Sequence, residues 1–431
     1  MGKIMTLYNF VKNAVTNGYV DWDYYGAYGY GNGDRTFDMI KNNPKTFIGN
    51  YFINGSKNLA LNLTDNDIND PMALFSDYRA IHTVSAFFIG LFIEKSLNNE
   101  RSLSIQLDGD QQAMPFSYLW FLACLYHDYG YCIEDQNNHV PNKKMFYLSG
   151  NNNKKQNFFC EYRRLYHVRN KYHIRHSIYS GYHTPFVRRT NPSFSDKVLN
   201  DITRQKQKVY FSNDAIIEEP RYSSGLVTRY FNYCLTELDR PVINHGIIGG
   251  QLFYDRMIKS YLTAYERSVA MHNNPNIDHR DFYCEDEDGN YKHFFVEQIP
   301  VFKHITDCII AHNIWVADES SAAAYQRYGL NKLLPDNFDK ISFNTNPMLF
   351  ILAIADTIEP CKLFNGMIPD NMLWRVWKDC KISYNKKEST FIINLPNDKF
   401  DKLYKKAKSL ELWVDVACQL GENQSIEIKV L

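Results

Sequence analysis

The apolar pattern along the chain alternates between long helical stretches and segments with no period. From Pro71 to Leu97, residues Leu74, Tyr78, Ile81, Val84, Phe88 and Leu91 fall on one side of a helix, which predicts one inward face. The next stretch, about Gln112 to Tyr126, is apolar nearly all round, as expected of a helix at the centre of a domain. It ends in "HDYG", where Gly130 is the expected helix stop. Helical periodicity returns at about Pro241 to Arg267, Gln298 to Ala317 and Asn346 to Ile358. Before the second of these, "CEDEDGNYKHFFV" predicts a hairpin turning at Asp288-Gly289. Its acids lack the ligand spacing of a calcium loop.

The two ends read differently. Residues 1–70 hold a short helical start and then "GYVDWDYYGAYGYGNGDRTF", a Gly/Tyr-rich run expected to be an ordered loop. At the other end, "KISYN" and "TFIINL" predict strands, "DKFDKLYKKAKSLELWVDVACQL" an amphipathic helix, and "QSIEIKVL" a closing strand. These boundaries suggest an N-terminal extension over 1–70, a helical domain over 71–365 with an insertion at roughly 140–225, and a small C-terminal region over 366–431.

Composition narrows the function classes. The 431 residues are 45% hydrophobic and 22% charged, which excludes global disorder. The formal net charge is zero, so attraction to an anion must come from a local patch. That patch lies in the basic, Tyr-rich segment: from Lys154 to Lys208 there are 13 Lys and Arg against three acids. The nine cysteines form no C-x-x-C pair and read as reduced thiols. The N-terminus lacks the pattern of a secretory signal, and no run of about 18 apolar residues occurs, so the expectation is a cytoplasmic protein with no membrane partner.

Against this background, several histidines and acids sit alone in apolar helical stretches. They are His82 in "DYRAIHTVSAFFIG", His127 and Asp128 in "CLYHDYG", His245 in "VINHGIIGG", His304 and His312 in "FKHITDCIIAHNIW", and Asp356 in "LFILAIADTIEP". A single histidine of this kind reads first as a satisfied core residue, but a buried carboxylate needs a cation or hydrogen-bond donors. As a set, the order His, His-Asp, His, His, Asp resembles the HD-domain superfamily of metal-dependent phosphohydrolases, as does the "HDYG" helix end.

The resemblance implies a mainly α fold: an HD-domain helical bundle with a basic insertion and a small α+β C-terminal appendage. It matches His82, His127, Asp128 and Asp356 to the first metal, and His245 and His312 to a second metal, with Asp128 able to bridge the two. His312 is preferred to His304, eight residues earlier, because its surroundings are more apolar. Where only one ion is held, His245 and His312 are expected to contact phosphate and transfer protons, so Asp128, His245 and His312 are the expected catalytic residues.

Imidazole and carboxylate ligands suit a divalent ion, Mn, Fe, Co, Ni or Zn, one or two per chain. The implied reaction is hydrolysis of a phosphoester or phosphoanhydride bond, most naturally of a nucleotide or other small phosphoester. Arg163, Arg164 and Lys171, with neighbouring basic residues, are the expected phosphate-binding groups. The same basic segment also fits a nucleic-acid groove, a contact between copies of the chain, or a solvated lobe. A metal-dependent nuclease acting on single strands and a non-catalytic nucleotide sensor are therefore the rival readings. The chain departs from the cyclic di-GMP branch: Tyr131 stands where some cyclic-dinucleotide hydrolases carry Lys, and the GYP signature is absent.

Overall fold

The structure, a computed structural model, describes residues 4–17, 19–20, 33–48, 77–107, 113–131, 208–218, 319–330, 340–395 and 400–431. Between 229 and 315 it describes 229–230, 233, 237, 245–247, 249–250, 253, 284–285, 291–292 and 294–315. The chain enters through β1 (Met5–Thr6) and α1 (Leu7–Thr16), whose N-cap hydroxyl, Thr6 Oγ1, accepts from Asn9 N at 3.2 Å. Helices α2 (Gly33–Asn42) and α3 (Pro44–Ile48) follow.

The central element is α4 (Asp77–Leu97), which packs against α1, α3, α5 (Phe116–His127) and α8 (Pro347–Ile358). Tyr78, Ile81, Val84, Phe88 and Leu91 form the expected stripe, but the helix is covered on most sides, and His82, Thr83, Ser85 and Glu94 are buried with them. It is long and apolar enough to cross a membrane, yet 89% of that window is buried inside the protein. Helix α5 is buried all round, as its composition predicts, and α6 (Phe294–Ala311) packs on it and on α8. Asn346 caps α8, its Oδ1 accepting from Leu349 N at 3.1 Å, with Pro347 in the first turn where no backbone N–H is needed. Helix α7 (Glu319–Arg327), which the sequence reading did not anticipate, buries none of its residues fully.

Two antiparallel sheets correct the expectation of a mainly α bundle with an α+β appendage. The described residues are 60% helix and 17% strand, in sheets of five and four strands. The larger has the order β1-β8-β9-β11-β10, from β8 (Lys381–Asn385), β9 (Thr390–Asn394), β10 (Val416–Gly421) and β11 (Ser425–Val430). Met5 pairs with Ile382 and Thr6 with Lys381, so the sheet joins both ends of the chain. Ile382, Phe391 and Ile393 then face Ile89, Phe92 and Ile93 of α4 across a small apolar cavity, with Ile358 of α8 beside them.

The smaller sheet has the order β3-β2-β4-β5, from β2 (Ser104–Leu107), β3 (Met114–Pro115), β4 (Val209–Phe211) and β5 (Ile216–Ile217). Two short strands, β6 (Cys284–Glu285) and β7 (Tyr291–Lys292), pair antiparallel as the predicted hairpin requires.

Three boundaries also shift. The C-terminal helix, α9 (Phe400–Ser409), ends well before Leu420, because Val416 and Cys418 alternate inward and the whole of β10 pairs with β11. The last residues of the Gly/Tyr-rich run, from Gly33, are helical in α2, and residues 21–32 lie outside the described residues. Most of the predicted Pro241–Arg267 helix also lies outside them.

Glu94 ties the end of α4 to β2 by accepting the backbone N–H of Leu103. Burial raises its pKa to about 7. A carboxyl whose folded pKa lies above its unfolded value stabilises the fold below the unfolded pKa and loses that contribution as pH rises through the folded one. For Glu94 the window runs from about pH 4.5 to 7 and is worth roughly 3 kcal/mol. Glu94→Gln should therefore gain stability over the wild type progressively across that window in urea melts; a difference independent of pH would contradict this.

Candidate metal centre

The last turn of α5 delivers His127 and its C-cap residue Asp128, while α4 carries His82 and the end of α8 carries Asp356. His82, His127, Asp128 and Asp356 each offer one donor atom, all within 4.8 Å of one another. Asp128, His245 and His312 form a second such group, so Asp128 belongs to both. All are buried except Asp356, whose side chain is 20% exposed and marks the open side.

The far sides of the rings are fixed. His127 Nδ1 donates to the Cys124 carbonyl at 2.6 Å, which leaves Nε2 facing Asp356 Oδ1 at 3.2 Å. His312 repeats the device with Nδ1 on the Ile309 carbonyl. Its buried Nε2 has no hydrogen-bond partner among the described residues, the condition of a nitrogen aimed at an ion. His82 Nδ1 donates to Glu359 Oε2 at 2.8 Å, and its Nε2 lies 3.2 Å from Asp356 Oδ1 and 3.3 Å from Asp128 Oδ2. The Glu359 carboxylate is itself held by the backbone N–H groups of Cys361 (2.8 Å) and Lys362 (3.1 Å).

Charge follows this geometry. Burial alone would raise the Asp128 carboxyl, but His127, His82 and Lys362 hold it far below the usual range. Burial likewise opposes ionisation of Asp356, which Lys362 and the His127 hydrogen bond hold well down. Burial and Lys362 push His82 down, yet Asp128 and the hydrogen bonds to Asp356 and Glu359 raise it overall. Burial keeps His245 well below its ordinary value, and burial with the neighbouring His127 takes His312 down to about 4. Near pH 7 the centre therefore presents ionised carboxylates and, at His245 and His312, neutral imidazoles, the forms that ligate divalent ions.

A close backbone approach places His245. A Cβ on Gly130 would lie 2.0 Å from the His245 carbonyl oxygen, and one on Gly249 would lie 2.2 Å from that of Tyr126. The two glycines let the backbone at His245 and at Gly249 seat directly on the end of α5. Gly130 thus serves close packing rather than the left-handed helix stop expected of it, since its φ is not positive.

His304 lies apart from this cluster, fully buried beside Cys308 and Phe211, where burial holds its pKa at about 3. Arg163, Arg164 and Lys171 lie outside the described residues. Sequence reasoning missed four neighbours of the site. Glu359 and Lys362 sit three and six residues beyond Asp356, and Lys362 Nζ pairs with Asp356 Oδ1. Arg79, one helical turn before His82, donates to Asp128 Oδ2 at 3.1 Å. Asn313 Nδ2 lies 3.2 Å from His245 Nδ1. The turn-by-turn spacing of Arg79 from His82 was the available signal.

The donor set fits a divalent metal: imidazole nitrogens and carboxylate oxygens converge from rigid elements, and each imidazole is oriented from behind. Cys124 is no competitor, since burial pushes its thiol well above the ordinary value. No family model, curated protein or solved structure matches the chain.

Gly130→Ala and Gly249→Ala should each destabilise the protein by roughly 1–3 kcal/mol or more, because the obstructing atoms are backbone and cannot rotate away. Denaturant melts within about 0.5 kcal/mol of the wild type would show that the segment does not seat as described.

Proposed function

We propose that the chain is a metal-dependent phosphohydrolase of the HD type, cleaving a phosphoester or phosphoanhydride bond, with a nucleotide as the substrate class. The observation that carries this reading is the sharing of Asp128 between two donor groups, which suits a pair of ions. Bound there, Mn, Fe, Co, Ni or Zn supplies Lewis acidity toward a phosphoryl oxygen and acidifies water. His82, His127, Asp128 and Asp356 are assigned to one ion, and His245 and His312, with Asp128, to the other.

The remaining residues orient and balance charge. Glu359 fixes the tautomer of His82 by accepting from Nδ1, and the Cys124 and Ile309 carbonyls do the same for His127 and His312. Arg79 and Lys362, each about one fifth exposed, stand at the open side and offset the carboxylates. They give an arriving phosphate two cations close to the reacting bond. The choice of a nucleotide rests on the basic, Tyr-rich composition of residues 154–208, which supplies charge for further phosphates and rings for a base.

Elemental analysis of protein purified without chelator should find a transition metal in the wild type and its loss in Asp128→Ala and Asp356→Ala. Equal occupancy in all three would sink the assignment. With Mn added, nucleoside phosphates or cyclic nucleotides should be hydrolysed. Hydrolysis of single-stranded DNA alone would instead identify a nuclease.

A further inference from the structure

Tyr131 follows the "HDYG" turn, is only partly buried, and is used on both ring faces. One face stacks on the His245 ring, with centroids 3.6 Å apart and planes 20° from parallel. Over Tyr131 also lies the Arg79 guanidinium, its Cζ 3.5 Å from the ring centroid. The same guanidinium donates to Asp128 Oδ2, and the other oxygen, Oδ1, lies 3.7 Å from His245 Nε2. The two ligands that define the second donor group with His312 are therefore linked through Arg79 and Tyr131 on their outer side.

We propose that Tyr131 is a positioning residue for the second ion: its ring, clamped by Arg79, sets the plane of His245 so that Nε2 meets Asp128 and His312. The inference rests on the metal reading of the cluster. A histidine ligand has two freedoms to fix, the plane of the ring and its rotation within that plane. The stack fixes the first. Asn313 bears on the second: its side-chain amide lies 3.2 Å from Nδ1, the ring nitrogen other than the one facing Asp128. The first donor group touches the stack only at Asp128, through Arg79, since His82 is held by Glu359 and His127 by a backbone carbonyl. Loss of the Tyr131 ring should therefore separate the two ions. With both faces covered, this ring is also not a platform for a base, and its role needs an aromatic ring but no hydroxyl.

The test is titration of the metal-stripped full chain with Mn²⁺, read as stoichiometry and affinity by calorimetry. The wild type should bind two ions. Tyr131→Leu should keep the first within about threefold and weaken the second roughly 10- to 100-fold, while Tyr131→Phe should bind both as the wild type does. Tyr131→Ser, with no larger side chain to accommodate, should behave as Tyr131→Leu and serves if that variant does not fold. Wild-type affinity for both ions in the Leu or Ser variant would overturn the inference, as would loss of both ions together. A single ion in the wild type would overturn it while leaving the metal reading intact, whereas no ion at all would remove that reading too.

Discussion

Everything else in this molecule answers to the crowding of ionised carboxylates and imidazoles in one buried space. Two like charges 4 Å apart repel by about 4 kcal/mol at an effective dielectric near 20, and burial adds the loss of hydration. Asp128 and Asp356 share a donor group within 4.8 Å, so the fold must bring cations to them. It does so from two directions, Arg79 on Asp128 and Lys362 on Asp356, while His82 Nε2 lies between the two carboxylates. Lys362 shows the mutual dependence. Burial alone would strip its proton, but Asp356 and Asp128 raise its pKa. A divalent ion would meet the same demand for positive charge with fewer groups, and the donor atoms gathered here could hold one.

Holding such a cluster requires rigid supports, and the ends of packed helices supply them. Helix α4 runs through the core between α5 and α8, with the five-stranded sheet lying behind it against Ile89, Phe92 and Ile93. Trp377 Nε1 donates to Ser85 Oγ at 3.1 Å, one turn from His82, so the segment leading into β8 also braces the ligand helix. On the other side, Trp315 stacks on Trp413 with centroids 5.1 Å apart, joining the turn just beyond His312 to the C-terminal region. The sheet formed by the two chain ends is thus part of the scaffold of the centre.

The candidate ligands are more legible in the sequence than the architecture. His82, His127, Asp128, His245, His312 and Asp356 stand out because a polar side chain in an apolar helical run carries an energetic cost, and the structure brings all six together. His304 satisfied the same pattern and lies elsewhere. Periodicity reports burial, and burial is common to a ligand and a core residue. The groups that orient and neutralise the ligands were hidden for a different reason: Arg79, Glu359 and Lys362 look like ordinary charged residues at helix ends until the contacts are known. Tyr131 shows in the sequence only as a departure from one branch of the resembled family, and its contacts give it a place against His245 and Arg79. Strands β8, β9 and β11 are legible in the local pattern, whereas β1, β10 and the four-stranded sheet are not, because their strands are short or their pairings non-local. Two residues at the N-terminus pair with a strand at residue 381, and β2 pairs with β4 across about a hundred residues, neither of which leaves a local period. The C-terminal helix ends earlier than its periodicity predicts, because "DVACQL" continues an apolar pattern whose two-residue alternation belongs to an edge strand.

The most direct measurement is anomalous diffraction from crystals of the protein loaded with Mn²⁺ or Zn²⁺. Two peaks are expected about 3.5–4 Å apart, one among His82, His127, Asp128 and Asp356 and the other among Asp128, His245 and His312. Peaks only at other positions, or no peak in a fully loaded crystal, would contradict it.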